Sequence, residues 1–398
     1  MTVQERKLKP QETENPSAAA PGITGGPPLT ETGGVLTIDL DAIAANWRAL
    51  AHHVEPAECA AVVKADAYGC GLREVAAALA ATGCKIFFVA HLHEARIVRE
   101  VAPDATIYVL NGIPPGGAPQ FAAVRARPVI GSMPELLEWD AFCAVNNWTG
   151  GAALHFDTGM NRLGVPVDDA PALSSRMKMP KHGISLLMSH LACADAPDHP
   201  LNARQIQLFR ELRMMFRGVP ASLANSSGIF LGPATHCEIV RPGAALFGIN
   251  PTPAAANPMR QAVNLKGRIV QLRQVPRGGS VGYSATWTAT HETRVAVVSV
   301  GYGDGYLRAG AALSGERPVA IVAEKRCPVI GRISMDLLAL DVSAVPEKSV
   351  RRGDFATLLG DGIDVDELAR FGDLIGYEVL TSLGRRYHRV WKPLAKQG

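Results

Sequence analysis

An α/β chain, with an N-terminal (β/α)8 TIM-type barrel followed by a mainly β C-terminal domain, is the architecture that this 398-residue sequence predicts. Three observations predict it. Short apolar runs alternate with helical or loop segments from Val35 to about residue 264, the rhythm of parallel strands joined by crossovers. Several runs end in a polar residue, namely Lys64, Asp157, His190, Asn225 and Arg241. Barrels carry their chemistry at the carboxyl ends of their strands, so these residues would meet at one rim. From about residue 265 the pattern becomes two-residue alternation with β-branched side chains and turns rich in Gly, Pro and Asp. The expected divisions are a disordered tail at 1–34, a barrel at 35–264 and a β-rich domain at 265–398.

Composition narrows the function classes. Hydrophobic residues make up 47% and charged residues 19%, enough for a large core. The net charge of +3 is spread over both signs, and no basic run with interleaved aromatics occurs, so no nucleic-acid partner is expected. No apolar stretch reaches transmembrane length, so no membrane partner is expected. The cysteines Cys59, Cys70, Cys84, Cys143, Cys193, Cys237 and Cys327 are odd in number and scattered, without a CxxC pair. They imply a reducing, cytoplasmic setting and neither a disulfide framework nor a metal site. The tail is rich in Pro, Gly, Thr and Glu and lacks the apolar core of a secretory signal.

In chain order, VLTIDL reads as a strand and DAIAANWRALAHHV as a helix capped by Asp39 or Asp41. The stretch AVVKADAYGCGLREVAAALAATG, residues 61–83, organises the rest. Its apolar start ends abruptly at Lys64, and a polar, glycine-bearing loop follows. Leu72, Val75, Ala76, Leu79 and Ala80 then recur at helical spacing up to a C-cap at Gly83. A lysine held at a strand end can shed its charge and form a Schiff base with a carbonyl cofactor such as pyridoxal phosphate. The alternative is a lysine reaching along the surface into solvent. Further strand and helix pairs follow: CKIFFVA with HLHEARIVREVA, TIYVLNG with FAAVRA, RPVIG with SMPELLEWDAFCAV, AALHFDTG with MNRLGV, and GISLLMSHLA with LNARQIQLFRELRMMF. ASLANSSGIF and HCEIVRPGAALFG complete the series. Beyond them KGRIVQLRQV, TRVAVVSVGYG, RPVAIVAEKRCPVIG, SMDLLALDVSAV and DFATLLG read as strands, with one helix in DVDELARFGDL.

Eight motifs occur in order: VVKADAYG, DTGMNRLG, SHLACAD, NSSG, RPGAALFG, VGYSATW, VGYGDGYLR and GRISMDLLALDV. Together they resemble the successive signatures of the alanine racemase family, from Val35 to near Trp391. The resemblance implies an isomerase that uses pyridoxal 5'-phosphate to interconvert L-alanine and D-alanine, for peptidoglycan or for alanine catabolism. It also implies a head-to-tail homodimer in which the partner's β domain closes each site.

The same resemblance implies residue roles. Lys64 would hold the cofactor and serve as one catalytic base, handling the proton of the D-isomer. Tyr283, from the partner chain, would be the second, handling that of the L-isomer. Two bases on opposite faces are the direct way to invert Cα. Arg162 would receive the substrate carboxylate, for which a guanidinium fork is suited. Met335 of the second domain would also contact substrate. Arg241 would face the pyridine nitrogen and, being unable to accept its proton, keep it unprotonated. His190 would join that polar cluster. Tyr68, Ser226 and Gly243 would contact the phosphate. Two positions depart from the family pattern. His155 stands where many members carry a carbamylated lysine bracing the substrate arginine, so an anion or a direct hydrogen bond would have to replace that brace. A family tyrosine near the C-terminus that reaches phosphate falls on Arg385, with Tyr387 as the alternative. The competing readings are a broader-specificity amino-acid racemase of the same fold, a non-catalytic pyridoxal-phosphate-binding barrel protein and a decarboxylase of similar fold. Tyr283 and Met335 argue against the second and Arg241 against the last.

Overall fold

The computed structural model describes residues 22–177, 183–308 and 317–395. Among the described residues eight parallel strands ring the first domain. The first is broken at Ala60, and its halves Glu58–Cys59 and Ala61–Val62 pair with opposite neighbours. The others are Ile86–Val89, Thr106–Val109, Arg127–Ile130, Ala152–Asp157, Ile184–Met188, Ala221–Ser222 and Ile239–Val240. Each lies beside the next in sequence. The ring closes where Glu238 N–H donates to Ala221 O (3.1 Å) and Glu58 N–H to Glu238 O (2.8 Å). Side chains fill the interior, among them Val62, Phe88, Tyr108, Val129, Leu186 and Met188. A packed interior leaves chemistry only at the rim.

The helix Leu40–His53, capped by Asp39 through Ala42 N–H, lies outside this ring. Its buried Asn46 ties it to the end of the barrel through Leu246 O and Arg260. Gly83 caps Leu72–Thr82 in the left-handed conformation, φ 113°, as its position in sequence predicts.

The strand expected to open the barrel does not lie in it. Gly34–Asp39 pairs antiparallel with Val263–Val275 and parallel with His388–Lys392, in the sheet of the second domain. Its burial alternates residue by residue, with Leu36 and Ile38 inward, whereas the barrel strands are buried on both faces. The expected tail is also in part folded. Ile23–Gly25 pairs antiparallel with Arg389–Trp391, and Thr32 Oγ1 donates to Arg386 O (2.7 Å). A backbone ladder needs no large apolar side chains, which is why composition did not reveal it. Glycines permit the approach: a Cβ at Gly26 would lie 2.4 Å from Tyr387 O. The expectation for residues 1–21 lies outside the described residues.

In the second domain Val263–Val275, Thr293–Val298, Leu338–Asp341, Lys325–Ile330, Val319–Val322 and Phe355–Leu359 form an antiparallel circuit that returns to Val263–Val275. Two short helices follow, Val365–Arg370 in the expected place and Gly376–Ser382, which was not expected. One hydrophobic core runs through both domains. Among the described residues no helix is long and apolar enough to cross a membrane.

Candidate active site

A cavity of about 500 Å³ opens at the carboxyl ends of the barrel strands. Lys64, Tyr68, His155, Arg162, His190, Ser226, Arg241 and Gly243 all line it, although they come from six separate loops or strand ends.

Lys64 follows the first barrel strand after a single residue, Val63. Residues 65–68 then take left-handed backbone angles in succession, φ 55°, 54°, 52° and 56°. Each costs roughly 1–2 kcal/mol for an L-residue outside glycine, so such a run persists only where surrounding contacts impose it. The contacts are present. Asp66 Oδ1 accepts from Leu72 N–H (2.8 Å), and the buried Glu94 takes Ala65 N–H on one oxygen (2.7 Å). Its other oxygen takes Ala90 and His91 N–H at 2.8 and 3.0 Å. Burial lowers the Lys64 pKa from its ordinary value, and the Arg162 charge lowers it further, with Glu94 opposing. A lysine amine that loses its proton more readily is present more often as the free amine at neutral pH, the form that attacks a carbonyl or takes up a proton.

Arg241 is buried. It donates to Ser189 O (2.7 Å), Leu223 O (3.3 Å) and the Ser222 hydroxyl, and its guanidinium lies over the Phe88 ring. Burial brings its pKa down to about 10, so it stays charged at neutral pH. His190 sits between Arg241 and Asn225. Burial and the neighbouring Arg241 and Arg162 charges hold its pKa well below the usual imidazole range. His155 is pushed down to about 4, first by burial and then by Arg241.

Arg162 is braced through its loop. Asp157 Oδ1 accepts N–H groups from Gly159, Met160 and Asn161 at 2.9, 2.8 and 3.1 Å, which fixes the turn leading to it. Ser226 Oγ accepts from Gly243 N–H (3.0 Å) and Ala245 N–H (3.2 Å), leaving its own O–H to donate into the cavity. Gly243 carries no side chain because Tyr68 occupies that space: a Cβ there would lie 2.3 Å from the tyrosine oxygen.

Tyr283 and Met335 are not in this cavity. They lie on the second domain, 71% and 53% exposed, Tyr283 lining a separate groove with Arg332 and Leu337. Neither Arg385 nor Tyr387 reaches the cavity. Arg385 is exposed, and Tyr387 is fully buried in the second domain against Gly34. The C-terminal aromatic that lines it is Tyr377, with Thr381 one helical turn on, both from Gly376–Ser382. The sequence signal for this helix was Glu378, whose carboxylate accepts Ile375 N–H and caps it. Gln205 was also missed. It is buried on the apolar face of Pro200–Met215 and donates to Thr158 Oγ1 (3.1 Å) and His190 O (2.9 Å), tying two strand ends together.

Family comparison accords with this geometry. The family model described as alanine racemase, N-terminal domain, matches residues 38–251, and that for the alanine racemase C-terminal domain matches residues 262–391. The chain belongs to the alanine racemase family. An alanine racemase of Methylobacterium nodulans is 53% identical over 357 residues, covering 90% of this chain and 95% of that one. A catabolic alanine racemase of Mesorhizobium japonicum is 45% identical, covering 94% and 97%. The crystal structure of the Bartonella henselae alanine racemase with covalently bound pyridoxal phosphate superposes with a TM-score of 0.84 at 33% identity, covering 90% of this chain and 99% of that one. The family start at residue 38 leaves the Ile23–Gly25 strand outside the matched region.

Proposed function

We propose that this protein racemises alanine, with pyridoxal phosphate carried on Lys64. The observation that carries the reading is the placing of one amine of lowered pKa in a cavity that also holds two guanidinium groups, Arg162 and Arg241. The cavity residues suit the cofactor. Ser226 keeps a free O–H beside the Gly243 backbone, and the missing Cβ of Gly243 lets Tyr68 and that backbone converge where a phosphate would bind. Tyr377 adds a second hydroxyl. Arg241, a donor that stays charged, suits an unprotonated ring nitrogen.

Pyridoxal phosphate supplies a sink for the electrons left when a Cα–H bond breaks. The chain's own residues do the rest. Arg162 clamps the substrate carboxylate and so orients the Cα–H bond. Lys64, neutral more readily than an exposed lysine, takes or returns the proton on one face. Arg241 offers no proton to the ring nitrogen and so keeps the sink shallow, which favours prompt return of a proton to Cα.

The second face needs a second base, and Tyr283 is that base, delivered by another copy of the chain. Its side chain is exposed, as are those of Met335, Leu337 and Tyr302 on the same domain, apolar groups that a second chain would cover. A homodimer covers these residues and completes each cavity. The test is a racemisation assay over a panel of L-amino acids with added pyridoxal phosphate. L-Alanine is expected to turn over fastest. Equal turnover of larger or basic amino acids would favour a broader-specificity racemase, and no turnover of any would favour a non-catalytic cofactor carrier.

A further inference from the structure

The strained turn after Lys64 is gripped from the other domain of the same chain. Arg389 Nη1 donates to Gly69 O at 2.7 Å, and its Nη2 to Leu383 O and Gly384 O at 3.2 and 3.0 Å. Trp391 Nε1 donates to Cys70 O at 2.6 Å. Both side chains are buried and stand on one strand, His388–Lys392. The Trp391 ring also closes over Gly71, where a Cβ would come within 2.8 Å of it. Gly69 itself lies on Leu380 of the helix that carries Tyr377 into the cavity. The peptides so held belong to the segment leaving the left-handed run, whose other end Glu94 holds at Ala65. We propose that Arg389 and Trp391 are positioning residues for Lys64, forming an intrachain latch through which the second domain sets where the lysine amine stands.

Two observations support a role beyond general packing. Left-handed angles at four consecutive non-glycine residues persist only where surrounding contacts impose them, and at the far end Arg389 and Trp391 donate from the other domain in addition to the local Leu72 N–H to Asp66 Oδ1 bond. The latch is itself backed. Ile23–Gly25 pairs in register with the three residues Arg389–Trp391, so the segment ahead of the family match covers the open edge of the latch strand. With the latch loosened, Lys64 would leave the buried position beside Arg162 that lowers its pKa. The inference rests on Lys64 being the cofactor lysine, and the experiment separates the two.

Apoprotein of wild type, Lys64→Ala, Trp391→Phe and Arg389→Lys is titrated with pyridoxal phosphate across pH 6.5–9.5, followed by visible absorbance, with apoprotein unfolding recorded alongside. Trp391→Phe keeps an aromatic ring and removes the donor to Cys70 O together with the part of the indole that packs on Gly71 and Gly25. Loss of one buried hydrogen bond should weaken cofactor binding by roughly tenfold in this variant. The pH of half-maximal capture should also move upward, and the apoprotein unfolding midpoint should fall by only about a few degrees. Arg389→Lys should move both quantities the same way. Wild-type affinity and pH profile in both variants would overturn the latch. So would an affinity loss that vanishes when proteins are compared at equal distance below their unfolding midpoints. A visible band that survives in Lys64→Ala would overturn the lysine reading instead, whatever the latch variants do.

Discussion

Arg241 and His190 lie side by side at the rim, the guanidinium Nη2 3.3 Å from the imidazole Nδ1. An arginine only donates, so Nδ1 accepts and the ring proton sits on Nε2. Asn225 makes no hydrogen bond to that proton: its Oδ1 is committed to Gly228 N–H (2.9 Å), and its Nδ2, 3.5 Å from Nε2, donates to Leu191 O (3.3 Å). The pair is therefore one fixed charge beside one neutral ring. Arg241→Gln removes the charge that helps to hold His190 neutral. The His190 pKa should rise towards its ordinary value, visible in its imidazole proton shifts, and racemisation should fall by roughly a hundredfold.

Lys64→Ala should abolish the visible absorbance of the cofactor-loaded protein and lower racemisation by about 10⁴-fold or more, since in the proposed function the same amine binds and catalyses. An unchanged absorption spectrum would move the attachment point elsewhere.

Tyr283→Phe should slow solvent-proton exchange into L-alanine by roughly 10²–10⁴-fold while leaving cofactor binding intact. Mixing inactive Lys64→Ala chains with inactive Tyr283→Phe chains should restore activity, because one of the two cavities in each hybrid dimer is whole. If mixtures stay silent although heterodimers form, the tyrosine does not act across subunits.

Tyr377→Phe should weaken pyridoxal phosphate binding by roughly tenfold to a hundredfold, the span for a hydrogen bond to a charged group. Tyr387→Phe should leave it unchanged, because the buried Tyr387 hydroxyl lies away from the cavity. Fluorescence titration of the two apoproteins checks the contrast. Equal effects would reject Tyr377 as the C-terminal phosphate contact.

His155 makes stability depend on pH. Its pKa is about 4 in the folded chain against an ordinary 6.5. Between those values the unfolded chain binds a proton that the folded chain refuses, so stability falls as pH drops from 6.5 to 4 and levels off below. The full effect is about 3 kcal/mol. His190, also depressed, acts in the same direction. His155→Asn should flatten the fall in apoprotein Tm over this range relative to wild type, and parallel curves would reject a neutral buried imidazole.

Part of the cavity lining was legible for a local reason. Lys64, His190 and Arg241 each close a short apolar run, a local event that periodicity records, whereas Arg162, Ser226 and Gly243 were expected only from the motifs that resemble the family. Asp39 as a cap and Gly83 as a stop were legible for the same reason, since each acts within one turn of its helix. Tyr377 was missed because its helix has only seven residues, too few for a periodic signal. Arg385 and Tyr387 stood closer to the expected motif in sequence yet not in space.

By itself, then, the sequence determined which segments alternate, where the lysine-bearing strand ends, and that the chain changes from crossover units to a β domain near residue 265. Those are properties of neighbours within a few residues. Only the tertiary structure decided that Gly34–Asp39 joins the second sheet, that Ile23–Gly25 is a strand at all, and that Arg389 and Trp391 reach back over 300 residues to the turn after Lys64. Pairing partners and buried donors are chosen by which backbone groups are left to satisfy once the core has closed, and no local pattern carries that information.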